Sequence, residues 1–351
     1  MDPLKSAARL VGGSIVARTG RPRAEWTLRR VAGSEGPVIA GPWLSEIGFE
    51  LLYWRPLLEW LMRRHEIEPA RLVAVSRGGA EPWYAGLAGT YRDALDYVSP
   101  EELRSWHTGR EGETGTQKQM APSELERTLL ERVREDLGEP GAAVLHPRVM
   151  YELFRWFWAG RRPVADVARR AEYHPLAPPA PEAAAALEEL PEDFVALKVY
   201  FSRAFPDTDA NRAFLGEVVR RLGAAREVVL LATGVALDEH AEWVPEGVRV
   251  HRVEHLMSPR TNLSVQTEIV RRARALVATY GGFSYLGPFA GVPSVSFYSE
   301  AAFAPMHLEV MRGAVEALAR GRSRAGAVAL DVRDARLLGM LGALEGAPAQ
   351  G

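Results

Sequence analysis

Three short groups of residues carry the types that hold an anion: Ser202-Arg203, Thr233-Gly234 and Tyr280-Gly281-Gly282-Phe283-Ser284. Adjacent glycines leave main-chain N–H groups open to close approach. A serine adds a hydroxyl, and a guanidinium can grip a diphosphate through two parallel hydrogen bonds. Each group follows an apolar run. If those runs are parallel strands, all three groups lie at carboxyl ends, the edge where open α/β sheets bind ligands. A helix starting at Phe283 would add the partial positive charge of its N-terminus. Plainer roles exist for the same residues. Gly281-Gly282 serves equally as a tight strand-to-helix turn, and Arg203 could pair with Asp207 or Asp209.

Ser45-Glu46-Ile47-Gly48-Phe49-Glu50 is a second place for chemistry. A carboxylate at a helix start in a cleft can accept a hydroxyl proton, so Glu46 is the candidate general base. Alternatively, Glu46 or Glu50 merely offsets the helix dipole. No HExxH, paired DxD metal motif or Walker sequence occurs. Asp207-Thr208-Asp209 has DxD form, but it sits at a helix start, where capping accounts for it. Lys198 falls inside an apolar strand and needs a partner or an exit to solvent. His251 and His255 could meet a phosphate or a base, although lone histidines are usually structural.

The elements that must position these residues follow from periodicity. Val38-Ile39-Ala40 reads as a strand that runs into Gly41-Pro42. A helical face follows, marked by Phe49, Leu52, Tyr53, Leu57, Trp60 and Leu61. Arg71 to Ser76 is the next strand. Strand, helix and strand already alternate as in a parallel α/β domain. Residues 81–150 are less regular. Thr108 to Ala121 reads as a polar loop, either a lid over an acceptor or a surface insertion. Ser123 and Glu126 form a capping box for a helix to Leu137. The aromatic run Tyr151 to Trp158 could stack on a sugar or base, but such clusters are more often core.

The proline-rich stretch His174 to Pro191 suits an interdomain linker, with a helix Glu182 to Leu190 on it. It divides the chain into an N-terminal α/β domain, 1–180, and a C-terminal α/β domain, 181–351. In the second, strands at Asp193–Phe201, Glu227–Ala232, Val248–His251, Ala275–Tyr280 and Pro293–Tyr298 alternate with helices. Five such strands define a doubly wound parallel sheet. Residues 1 to about 36 show no clear period and read as a loosely ordered lead-in.

The 351 residues exceed one ordinary core, and the net charge of −2 argues against a dedicated nucleic-acid binder. The absence of cysteine excludes disulfides, Cys-ligated zinc and thiol catalysis. No apolar run reaches the roughly 18 residues that span a bilayer, and the first residues lack the apolar core of a signal peptide. A cytoplasmic location is the expectation.

The second domain resembles GT-B glycosyltransferases, most closely their fucosyltransferase-like branch. Phe194 to Arg203 is similar to a strand ending in a donor-binding Arg. Val228 to Gly234 resembles the strand and Ala-Thr piece that follows. Ala278 to Ser284 is similar to the turn that holds the donor diphosphate, and Trp43 to Leu52 to an N-terminal loop. Tyr200-Phe201-Ser202-Arg203 departs from the branch's usual His-x-Arg-Arg. The resemblance implies an α/β fold of two Rossmann-like domains facing a cleft. It also implies metal-independent transfer of a sugar from a nucleotide-sugar donor to an acceptor, with no separate cofactor. Two other readings stay open: a further GT-B-shaped enzyme, such as a pyruvyl transferase or sugar-nucleotide epimerase, or a non-catalytic binding module.

Overall fold

The computed structural model describes residues 20–114, 118–178, 187–233, 243, 248–300, 305–320 and 325–334. Two wholly parallel sheets organise them. The first contains β1 (Val38–Ala40), β2 (Leu72–Ser76), β3 (Thr90–Asp93) and β4 (Ala143–Leu145), in the order β3-β2-β1-β4. The second contains β5 (Phe194–Lys198), β6 (Glu227–Leu230), β7 (His251–Arg252), β8 (Leu276–Thr279), β9 (Ser294–Tyr298) and β10 (Ala327–Asp331), in the order β10-β9-β8-β5-β6-β7. In both, the chain starts inside the sheet, walks to one edge, then crosses back over its first strand to extend the other side. The order therefore reverses between β1 and β4, and again between β5 and β8. These are the switch points where a crevice opens beyond the strand ends. The architecture is α/β with two Rossmann-like halves.

Helices cover the sheets. Residues 20–32 form α1. Ile47–Phe49 opens α2, which passes through a π-helical turn, Glu50–Trp54, into Arg55–Arg64. Glu124–Leu137 is α3, Arg148–Trp158 is α4, Asp209–Ala225 is α5, Asn262–Arg272 is α6 and Pro305–Ala319 is α7. The capping box of α3 forms as its sequence requires, with Ser123 and Glu126 bonding reciprocally. The aromatic run in α4 is core: Tyr151, Phe154 and Phe157 are buried.

Three expectations are corrected. The lead-in is not loose over 20–32: Ala24, Leu28 and Val31 are buried on one face of α1. The arginines between them hide that stripe from a period count. Thr108 to Ala121 is not simply a loop, because a helix runs over Pro100–Thr114 and the side chain of Gln119 is fully buried. The second sheet has a sixth strand, β10, beside β9. The expected helix Glu182–Leu190 falls mostly outside the described residues.

One apolar core runs through both halves. It joins Trp43, Trp54, Tyr53 and Phe154 from the first to Phe194, Phe289 and Leu318 from the second. A smaller cluster packs β1 and β2 against α3, and another packs β5 and β6 against α5. α7 crosses back to touch Glu50–Trp54 and Ala165–Ala168 of the first half.

Candidate functional site

The second switch point is built by β5 and β8. Beyond the pair Lys198–Ala278, the Thr279 hydroxyl replaces the ladder. It donates to the Tyr200 carbonyl at 2.9 Å and accepts from the Tyr200 N–H at 3.1 Å. The two chains then part, and Gly281 begins the turn. Ser284 closes it, with its N–H and its hydroxyl both donating to the Gly281 carbonyl, at 3.0 and 2.8 Å. Ser294 Oγ donates to the Ser284 carbonyl at 2.8 Å, so β9 pins the turn from below. The N–H groups of Gly281, Gly282 and Phe283 meet no acceptor among the described residues. They are the unsatisfied donors that begin every helix. A Cβ on Gly281 would lie 2.0 Å from the Tyr200 phenol oxygen, so only glycine fits beneath that ring.

The first switch point lies at the ends of β1 and β4. Gly41 N–H donates to the Leu145 carbonyl at 3.0 Å, and Trp43 N–H to the Val75 carbonyl at 2.8 Å. Gln119 then clamps the loop. Its amide donates to the Pro42 carbonyl at 2.7 Å and accepts from Leu44 N–H at 3.0 Å. Glu126 holds Gln119 in turn, and also takes bonds from His146, Arg110 and the Ser123 N–H. Burial opposes the charge on Glu126. The bonds from His146, Gln119 and Ser123 outweigh it and bring the carboxyl down to about 2.

Glu50 is fully buried in the π turn of α2. Its carboxyl accepts from Ser76 Oγ at 2.6 Å, the Tyr84 phenol at 2.7 Å and Arg77 at 3.0 Å. Burial raises its pKa, while Arg77 and the two hydroxyls act against that rise. Its oxygens are engaged, so Glu50 ties α2 to β2 rather than facing a substrate. Glu46 is exposed at the N-cap of α2, and its side chain makes no capping bond.

The two switch points meet. A Cβ on Gly48 would lie 2.7 Å from Gly282 Cα, and one on Gly282 would lie 2.5 Å from the Gly48 nitrogen. The N-terminus of α2 and that of the 3-10 turn Gly282–Tyr285, which leads into the helical turn Leu286–Phe289, are thus in backbone contact, which two glycines alone permit. The exposed Glu46 stands two residues from this junction. Further contacts lock the halves beside it. Leu263 N–H donates to the Gly78 carbonyl at 2.7 Å, and Trp83 Nε1 to Thr267 Oγ1 at 2.9 Å. Gly79 has φ +77°, and a Cβ there would meet the Arg260 carbonyl at 2.6 Å.

The remaining expected residues divide. Arg203 is exposed on the carboxyl edge of the second sheet and makes no ion pair or hydrogen bond among the described residues. The Asp207 alternative is filled otherwise, by Arg212 at 2.6 and 2.7 Å. Ser202 is half-buried and its hydroxyl accepts from Ala204 N–H at 3.2 Å. Thr233 is buried at the end of β6, and Gly234 lies outside the described residues. Tyr280, Phe283 and Ser284 are buried. Tyr280 accepts from the Tyr285 phenol at 2.9 Å, and burial pushes its own phenol up to about 12. These three side chains support the turn, so a ligand would meet main chain there, not the Ser284 hydroxyl.

Lys198 stays buried and finds its partner at this edge. Its ammonium donates to the Leu231 carbonyl at 2.7 Å and lies 5.2 Å from the Phe283 ring centre. Two residues near the junction escaped the sequence reading. Lys118 places its ammonium 4.9 Å from the ring centre of Phe49 and 5.9 Å from that of Trp158. His307 on α7 bonds Tyr53 of α2 at 2.7 Å. No local pattern marks either one, since both are recruited by tertiary contact.

No protein-family model matches the chain, and no curated protein does. Among solved structures, it is similar to a glycosyl transferase family 9 protein from Veillonella parvula, at 13% identity over 91% of each chain with a TM-score of 0.46. It is also similar to an ADP-heptose LPS heptosyltransferase II from E. coli, at 13% identity over 88% of this chain and 98% of that one, with a TM-score of 0.48. A putative UDP-N-acetylglucosamine 2-epimerase from Listeria monocytogenes aligns at 11% identity over 81% and 88%, with a TM-score of 0.29. None of the three is a fucosyltransferase, and no residue role is carried over from them. Among the described residues, no helix is long and apolar enough to cross a membrane.

Proposed function

We propose that the chain transfers a sugar from a nucleotide-sugar donor to an acceptor at the junction of its two halves, without a metal. The observation that carries this reading is the meeting of the α2 N-terminus with that of the 3-10 turn, at Gly48 and Gly282. Free main-chain N–H groups at Gly281, Gly282 and Phe283 line the second of them. Such ends favour negative charge, and a departing diphosphate is where charge develops in glycosyl transfer. Arg203 shares that edge, its guanidinium unpaired among the described residues, and it would close on the diphosphate. Glu46, exposed at the facing helix start, is the candidate to take the acceptor proton. Amides and a guanidinium supply the counter-charge, so no metal is required. The acceptor would enter from the first half.

The test is a panel of nucleotide-sugars scored by thermal shift, then calorimetry with the donor that stabilises the protein. One donor class should raise Tm. Arg203→Ala should weaken that donor by at least about tenfold, the scale of one charge-assisted pair. Unchanged affinity would remove Arg203 from the site. Conversion of a donor to its epimer without any acceptor would replace transfer with epimerisation.

A further inference from the structure

A charged groove lies far from the junction. It is bounded by α1, the C-terminal end of α2 and the segment 168–172. A pocket of about 430 Å³ is lined by Trp60, Arg63, Arg64, Arg169 and Glu172 among others. A neighbouring one of about 330 Å³ is lined by Glu25, Arg29, His65 and Arg170. Trp60, Arg64 and Arg169 line both, so the two form one continuous groove. Gly48 lies in the first turn of α2 and Arg64 ends it, roughly 24 Å apart at about 1.5 Å per residue.

The charge in this groove is not balanced. Its two carboxylates are already engaged: Glu172 pairs with Arg63, and Glu25 with Arg21 at 3.4 Å and Arg170 at 2.8 Å. Arg29, Arg64 and Arg169 are exposed, and none makes an ion pair or hydrogen bond among the described residues. Three guanidinium groups that are unpaired among the described residues thus line one concavity with Trp60, in a chain whose overall charge is −2. Guanidinium forks match phosphate oxygens, and all three open onto the same concavity. Beside the groove, Trp26 is 60% exposed, with the Arg30 guanidinium 5.3 Å from its ring centre. Trp26, Arg29 and Arg30 share one face of α1 by their spacing.

We propose that this groove binds a phosphate-bearing ligand, held by Arg29, Arg64 and Arg169 against Trp60. The phosphate comes either from a lipid headgroup, with Trp26 seated in the interface, or from a soluble phosphorylated molecule. The full chain is tested against two probes: vesicles of phosphatidylcholine with or without phosphatidylglycerol, by co-sedimentation, and inorganic pyrophosphate, by calorimetry. The variants are the double change Arg64→Gln with Arg169→Gln, and Trp26→Ser. Arg320→Glu, an exposed arginine in the other half, controls for net charge. The double variant should lose about 30-fold in affinity for whichever probe binds, the scale of two cations removed from a charged surface. A headgroup source predicts binding to anionic vesicles only, reduced also by Trp26→Ser. A soluble source predicts pyrophosphate binding that Trp26→Ser leaves unchanged. Binding of neither probe, or binding lost no more in the double variant than in Arg320→Glu, overturns the proposal. None of these variants touches the junction, so donor binding there reports on the other reading separately.

Discussion

At the scale of single residues, the junction is governed by what is missing. Gly281 has an extended backbone that any residue adopts. It is glycine because the Tyr200 phenol occupies the place of a Cβ. Gly281→Ala must therefore push a buried ring aside, at about 1–3 kcal/mol for overpacking. Tyr200→Phe removes the oxygen that would lie 2.0 Å away, although the ring carbon behind it would still be 3.0 Å distant. The double variant should recover part of the loss and not all of it. Urea denaturation of both single variants and the double measures the coupling. Additive effects would show that Tyr200 does not guard the turn. The same packing explains what the sequence could and could not convey. Gly281-Gly282 and Arg203 stand out as residue types at strand ends. That Ser284 turns inward to the Gly281 carbonyl depends on a turn geometry that no residue type announces.

At the scale of elements, legibility followed position in the sheet. β1, β2, β5 and β8 are buried along their whole lengths and read as apolar runs. The strands that escaped, β3, β4 and β10, are all at sheet edges and largely half-buried. An edge strand meets solvent, so it tolerates residues such as Thr90 and Arg92 and loses the apolar signature. The loop after β1 was legible as a site but not its support. Gln119 and Glu126 reach it from distant elements. That support has a pH signature. The Glu126 carboxyl lies at about 2, below its ordinary 4.5. A depressed carboxyl adds stability that is complete above the unfolded value and is lost as pH falls from 4.5 toward 2. The contribution is on the order of 3 kcal/mol. Glu126→Gln should lower stability at pH 7 and flatten its fall between pH 4.5 and 2 in chemical denaturation. Equal acid sensitivity in both proteins would show that the Glu126 network is not what holds the loop.

At the scale of the whole molecule, the two halves are held as one body by shared core and cross-contacts, and one of those contacts titrates. His307 of α7 reaches across to Tyr53 of α2. Burial first, and the nearby Lys118 charge second, lower the imidazole to about 4 from 6.5. Burial also holds the Tyr53 phenol well above its ordinary value, so the phenol keeps its proton beside Nδ1. A second ring proton would place an imidazolium in a buried pocket that also holds the Lys118 charge. The linkage sign follows: between pH 6.5 and 4 the unfolded chain takes up a proton that the folded chain refuses. Stability contributed by neutral His307 is therefore complete above 6.5 and lost as pH falls to 4, on the order of 3 kcal/mol. His307→Gln cannot titrate there, so its stability should be lower than the parent's at pH 7.5 and nearly level between pH 6.5 and 4.5. Thermal melts across that range would measure it. If α7 also sets the opening of the junction, donor affinity in the parent should weaken over the same window, and the His307→Gln variant should not follow it. A parent protein whose melting point is flat from pH 6.5 to 4.5 would mean that the imidazole reaches solvent and that this cross-contact does not hold the halves together.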